Sequence, residues 1–346
     1  MLKLCTFLLL SLTAPLVAGA SPEIDKVVAS PVFEVRLGSD LAPLAAAESF
    51  TNRTTSIRRN LMLEIGWMLP GGRFLPAPAL GPDEYKILSG GVTIGEYKLE
   101  ANRLLAMGQE AKLANLPGPF VHDPTYGMPA KWIPVADKDK VEQMGFLIFD
   151  PVSVWATHMT ELCRTRCVEL YTADHLQAGF ATLRKTQPVL VERVNGEPVL
   201  RDKLLAVIRN LLAEGVPVRD LETLSELVLA SPQSTAESIS EAARIELAGS
   251  VLKDLVSDGK MSVTAVGPKL EAAVLSNTSP DLILTAVKKV DTDMRDSGLQ
   301  PILVTSSGAR LVLRRLIQKD FPGLVVLSFE ELLPYYSVTS VGTAEL

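Results

Sequence analysis

Three cysteines and three histidines in 346 residues leave little material for covalent or metal chemistry. Cys5, Cys163 and Cys167 are too few for a disulfide framework. Cys163 and Cys167 fall one turn apart on an expected helix, badly placed for a bridge. That usage fits a reducing compartment. With His122, His158 and His175 as the only imidazoles, a Ser/His or Cys/His nucleophile pair has few possible bases. The G-x-S-x-G elbow of hydrolases is missing. Ser306-Ser307-Gly308 lacks the lysine of a phosphate-binding loop and the spacing of the dinucleotide fingerprint. Positive charge is not in excess either. A net charge of −6 and a pI near 5.3 argue against a nucleic acid held by phosphate neutralisation. No repeat or low-complexity segment stands out.

What is present is a folded globular composition, 47% hydrophobic and 21% charged. The length allows two or three compact units at ~100–200 residues each. Residues 1–20 differ from the rest. Lys3 precedes the apolar run LCTFLLLSLTAPLVAGA, which closes on the small residues Ala18-Gly19-Ala20. Both a cleaved secretory signal and the stub of a membrane segment fit, since a spanning helix needs ~20 apolar residues.

Periodicity orders the remainder. Val32 to Leu44 alternates like a strand and breaks at Gly38 and Pro43. Ser56 to Gly66 predicts a short helix with Leu61 and Ile65 inward, and Pro70 to Pro82 a loop. Glu84 to Glu100 predicts a hairpin around Gly90-Gly91. Asn102 to Ala114 reads as loop or short helix. A helix over Lys138 to Met144 leads into a buried strand, Gly145 to Asp150, and a longer helix follows to about Leu170. Residues 173 to 247 read as mostly helical. Leu204, Ile208, Leu211 and Leu212 share one helical face, as do Leu221, Leu224 and Val228. Gly215 and Pro217 break the pair, and Asp220 caps the second helix. PILVTS and GLVVLSF flank the amphipathic GARLVLRRLIQKDF, the pattern of a βαβ crossover with parallel strands.

Few residues invite a chemical reading. His158, Cys163 and Cys167 form at most an incomplete ligand set, and buried packing explains them better. Ser306 sits between a strand and a helix, where capping is its ordinary role. In DPTYGMPAKWI, Asp123 and Pro124 favour a turn, Gly127 allows a tight backbone, and Tyr126, Met128 and Trp132 bring large apolar surface. Those side chains fit either a core or a shallow protein-binding dimple.

DPTYGMPAKWI, GFLIFDPVSVWATHMTELCR, LLAVIRNLLAEGVPVRDLETLSELV and PILVTSSGARLVLRRLIQKDFPGLVVLSFEEL occur in that order. In this the chain resembles the export-gate family of type III secretion, to which FlhA, InvA and LcrD belong. LGSDLAP at Leu37 and YKILSGGVTIGEYKLEANRLLAM at Tyr85 extend the match from about residue 32 to the C-terminus. The resemblance implies a multi-subdomain α+β cytoplasmic domain with an α+β N-terminal part, a helical middle and a C-terminal α/β (βαβ) unit. Its subdomains would be 28–100 with 151–170, an inserted 101–150, then 171–247 and 248–346.

The function implied is that of a gate on the cytoplasmic face of the bacterial inner membrane. It would form a homo-oligomeric, nonameric ring and receive chaperone–substrate complexes, the stalk protein of the ATPase complex and other export-apparatus proteins. The family is not enzymatic, and no cofactor, metal or nucleic acid is expected. By motif, the chaperone-docking residues would be Met107 in LLAM, Asp123 and Tyr126 in DPTY, and Thr157 in ATH. Flagellar members carry phenylalanine where Tyr126 stands, which points to the injectisome branch. Family members carry a large N-terminal membrane half, and residues 1–20 are expected to be a remnant of it or an anchor. Two other readings remain at this level: an exported periplasmic or envelope binding protein with a cleaved signal, and a hydrolase using Ser306 or Cys163.

Overall fold

The computed structural model describes residues 33–67, 72–334 and 336–346. The apolar opening, residues 1–20, lies outside them. Among the described residues no helix is long and apolar enough to cross a membrane. The architecture is α+β, with three four-stranded sheets and a long helical stretch. It divides into two compact units: one of the residues up to Ala47 with Pro70–Pro151, the other of Glu48–Leu69 with Val152–Leu346.

The elements up to the end of the first unit run β1 (Phe33–Leu37), α1 (Ala42–Ala46), α2 (Glu48–Ile65), β2 (Gly72–Pro76), β3 (Glu84–Ser89) and β4 (Val92–Lys98). There follow β5 (Arg103–Met107), α3 (Glu110–Leu113), β6 (Val121–His122), β7 (Pro129–Pro134), α4 (Lys138–Gln143) and β8 (Leu147–Phe149). Of these, α2 belongs to the second unit.

In the first unit one sheet has the order β2-β1-β3-β4. Phe33, Val35 and Leu37 of β1 are buried in strict alternation, as a half-covered strand requires. Strand β1 pairs parallel to β2 and antiparallel to β3. Thus part of the stretch expected to be a loop, 70–82, is a strand. Its five residues do not alternate in polarity, so only tertiary pairing reveals it. The β3–β4 hairpin turns at Gly90 and Gly91, both at positive φ (55° and 82°), which such a two-residue turn demands.

The second sheet of this unit, β6-β7-β5-β8, is antiparallel throughout. Its core joins Ala106, Leu113, Leu116, Ile133, Val141 and Phe146. Two expectations change here. Arg103–Met107 is a central strand rather than a loop, and β8 is an edge strand whose Leu147 is 65% exposed.

The second unit contains α2 and the remaining helices: α5 (Pro151–Thr165), α6 (Cys167–Leu170), α7 (Ala173–Leu183), α8 (Pro188–Asn195), α9 (Pro198–Ala213), α10 (Leu221–Ala230), α11 (Ala236–Glu246) and α12 (Ala248–Leu252). Helix α2 is longer than the apolar spacing predicts, because its first turns are polar. Proline opens both α8 and α9, where its missing N–H costs nothing. Leu204, Ile208, Leu211, Leu212, Leu224 and Val228 are all buried. Asp220 accepts from Thr223 N at 3.0 Å, capping α10. Trp67 meets the ring of Tyr171 edge-on at 5.2 Å and that of His175 at 4.7 Å.

The chain ends with β9 (Lys260–Val266), α13 (Pro268–Ser276), α14 (Pro280–Asp296), β10 (Ile302–Thr305), α15 (Ser307–Ile317), β11 (Val325–Ser328) and β12 (Ser337–Ala344). The sheet order is β11-β10-β9-β12, all parallel. Leu303 packs with Leu313, Val287 and Val274 on one face, while Ile302 and Val304 pack with Met261 and Leu327 on the other. Burial on both faces explains why β10 reads as an unbroken apolar run.

Candidate docking site

Asp123 builds a presenting loop out of its own backbone. It is 6% exposed, and its carboxylate accepts from three amides: Thr125 N at 2.9 Å and Tyr126 N at 3.0 Å on Oδ1, and Met128 N at 2.7 Å on Oδ2. Asp123 N donates to the carbonyl of Met128 at 2.9 Å, and Gly127 N to the carbonyl of Asp123 at 3.1 Å. Gly127 sits at φ +65° with open space around it, so conformation and not room selects glycine. The six-residue turn, Asp123 to Met128, is therefore closed by its first residue alone. What it holds outward is apolar: Tyr126 is 64% exposed and Met128 46%. Trp132, further along the same motif, is buried.

The side of the turn is fastened separately. Lys131, itself buried, donates from Nζ to the carbonyl of Leu116 at 2.7 Å. The same ammonium lies 4.3 Å from the centre of the Phe120 ring, a cation–π contact that ties the Leu116–Phe120 segment to β7.

Met128 also forms one wall of a hollow of about 240 Å³, with Met107, Gly108, Gln109, Lys112, Gly145, Phe146 and Leu147 around it. Gly108 is needed for its shape, since a Cβ there would lie 2.7 Å from Phe146 Cδ1. Gly145, at φ +85°, turns the chain into β8. Two thioethers, an edge leucine and an exposed tyrosine make a deformable apolar surface suited to a protein partner.

The family model described as the FHIPEP family matches residues 13–337. The chain belongs to the FHIPEP family. It is 29% identical over 334 residues to the flagellar biosynthesis protein FlhA of Bacillus subtilis, covering 91% of this chain and 49% of that protein. The chain thus spans about half the length of the curated relatives it matches. In fold it is similar to a chain of the Chlamydia pneumoniae CdsV and CdsO protein complex (TM-score 0.73, 23% identity, 91% and 97% of the two chains). It is similar also to the nonameric EPEC SctV-C (TM-score 0.70, 17% identity, 90% and 97%).

Of the four FHIPEP site residues carried over by motif, Met107, Asp123 and Tyr126 lie in the first unit. Met107 lines the hollow, Tyr126 is exposed, and Asp123 is buried under the turn it organises. Thr157 lies in the second unit, exposed on α5, with its hydroxyl donating to the carbonyl of Ser153 at 3.0 Å.

The residues that invited catalytic readings have other work. Ser306 stands at the N-cap of α15, but its side chain makes no capping bond. Its hydroxyl instead donates to Glu271 Oε1 at 2.5 Å. Cys163 and Cys167 are both buried and lie on separate helices, α5 and α6. Burial and the neighbouring Cys167 push the Cys163 thiol up to about 12, which keeps it un-ionised and unreactive. Among the described residues, no group of three or more His, Cys, Asp and Glu could hold a metal ion.

Sequence reasoning missed a buried charge cluster altogether. Arg310, 0% exposed on α15, forks onto Glu214 with Nη1–Oε2 at 2.6 Å and Nη2–Oε1 at 2.9 Å. Its Nε also donates to Glu241 Oε2 at 2.5 Å. Arg244 lies 3.3 Å from Glu214 and 2.7 Å from Glu331. Glu331 in turn accepts from Ser328 N at 2.6 Å. Burial raises the Glu214 carboxyl, but the Arg310 hydrogen bonds and the charges of Arg244, Arg310 and Arg314 outweigh it and leave the group below its ordinary value. The only signal in the sequence was an arginine in an otherwise apolar helical face, Ala309, Arg310, Leu313 and Ile317.

Proposed function

We propose that this chain is the cytoplasmic-face domain of a type III secretion export gate, a binding and assembly module without bond-making chemistry of its own. The observation that carries the reading is the Asp123 turn, which holds Tyr126 and Met128 out of the fold beside the Met107 hollow. Exposed aromatic and methionine side chains on a rigid support match the make-up of a protein-binding hot spot. Membership of the FHIPEP family supports the gate assignment.

In this reading Met107 and Tyr126 are the anchors for chaperone–substrate complexes, Asp123 positions the anchor loop, and Thr157, on α5 of the second unit, is the fourth docking residue carried over by motif. Tyr126 in place of phenylalanine favours the injectisome branch. The subdomains 28–100 with 151–170, 101–150, 171–247 and 248–346 are the units of the assembly. The nonameric SctV-C supports a ring of nine copies. The CdsV and CdsO complex supports docking of an export-apparatus partner such as the ATPase stalk. Affinity purification of the tagged chain from its own cell tests the reading: secretion chaperones and the stalk protein are expected to co-purify. Recovery of the chain as a processed periplasmic protein without either of them contradicts it.

A further inference from the structure

The segment EGVPVRD, Glu214 to Asp220, ties together three parts of the second unit. Its last residue caps α10 through Thr223. Its Val218 N donates to the carbonyl of Ile65 at 3.0 Å, and Arg219 reaches the carbonyl of Leu63 at 3.3 Å, so the end of α2 is fastened to it. Gly66, at φ +88°, allows that approach: a Cβ there would lie 2.5 Å from Arg219 N. Its first residue, Glu214, closes α9 and holds Arg310 of α15, 96 residues further along the chain.

We infer that Glu214, Glu241 and Glu331 with Arg244 and Arg310 form a charge clasp that fixes the C-terminal α/β segment in one orientation on the helical segment. Glu214, Glu241 and Arg244 come from the helical side; Arg310 and Glu331 come from the α/β side. Every ion pair but Arg244–Glu214 therefore crosses the seam. An apolar contact of the same area tolerates sliding, whereas a planar guanidinium between two carboxylates has one productive geometry. Such a pair adds little net stability, because desolvating the charges offsets their attraction, and its best-attested use is to specify arrangement.

Access to the clasp is one-sided. The arginine side chains are sealed, Arg310 at 1% and Arg244 at 4% exposed, while Glu214 and Glu241 are 15% and 19% exposed. These two carboxylates face a cleft of about 160 Å³, also lined by Glu237, Arg314 and Arg315. Arg314 is held by the carbonyl of Leu324 at 2.8 Å, and Arg315 lies 3.4 Å from Glu237. Loss of a rim carboxylate therefore weakens the clasp from the solvent side without opening the core.

The test is a distance measurement by pulsed electron resonance between spin labels on Val199→Cys, at the start of α9, and Leu275→Cys, on α13. Both positions are exposed, and the native cysteines are replaced by alanine beforehand. The parent chain is expected to give one narrow distance. Glu241→Gln removes a rim carboxylate, and Arg310→Lys keeps the charge but loses the fork; each is expected to at least double the width of the distribution or add a second distance. Unchanged distributions in both folded variants overturn the clasp. Failure of both variants to fold also overturns it, because the cluster would then make the fold instead of setting an orientation within it.

Discussion

Asp123 and Met128 hold each other by two hydrogen bonds of opposite sense, Met128 N to Asp123 Oδ2 at 2.7 Å and Asp123 N to the Met128 carbonyl at 2.9 Å. The turn between them is therefore a closed loop whose rigidity depends on one carboxylate. A charged acceptor serving several amides contributes more than a neutral one, about 1.5–3 kcal/mol per bond. Asp123→Ala is expected to lower stability by about 1–3 kcal/mol in a denaturant titration and to release the loop locally. Hydrogen exchange should show Thr125, Tyr126 and Met128 amides losing protection while β7 keeps its own.

The hollow beside that turn depends on Gly108. With a Cβ 2.7 Å from Phe146 Cδ1, Gly108→Ala forces the phenylalanine ring to move, and overpacking of this kind costs about 1–3 kcal/mol. The double variant Gly108→Ala with Phe146→Leu should recover part of the loss. A thermal unfolding series checks both, and a Gly108→Ala variant as stable as the parent would show that the ring has room to shift.

Acid should loosen the second unit before it unfolds the core. Because the folded-state pKa of Glu214 is depressed, its contribution to stability is fully present above the unfolded value of about 4.3 and is lost as pH falls through the lower folded value. The parent chain is expected to lose stability from pH 5 downward. Glu214→Gln should flatten that part of the profile while costing about 3–5 kcal/mol at neutral pH, since it leaves buried arginines short of a partner. Chemical denaturation at several pH values reads both effects.

Much of this architecture is legible in the sequence, and the misses share a cause. The helical pair around EGVPVRD announces itself through apolar spacing, a glycine-proline break and an aspartate cap, all local properties. The parallel α/β segment does the same, because strands buried on both faces must be apolar throughout. Strand β2, by contrast, has no alternation and exists only by pairing with β1, and β5, RLLAM, is too short and too evenly apolar to be told from a helical turn until its partners are in place. Of the candidate site, the turn was readable from Asp-Pro and Gly127, and exposure was not: nothing local distinguishes Tyr126 outward from Trp132 inward. The role of Asp123 likewise needed coordinates, since a carboxylate facing its own amides and one facing a partner have the same sequence. The Arg310 cluster joins residues 96 and 69 positions apart, beyond the reach of any periodicity.

Whether the exposed ring at the tip of the Asp123 turn grips a partner is decided most directly by calorimetric titration of a chaperone–substrate complex, one shown to co-purify with the chain, into the parent and into Tyr126→Asp. Tyr126 is 64% exposed, so the substitution should leave the unfolding midpoint within about 0.5 kcal/mol of the parent. An anchor residue replaced by a charge typically costs 2 kcal/mol or more, at least about 30-fold in affinity. Loss of measurable binding by a chain that unfolds like the parent is the predicted result; equal affinity in the two proteins would contradict the account.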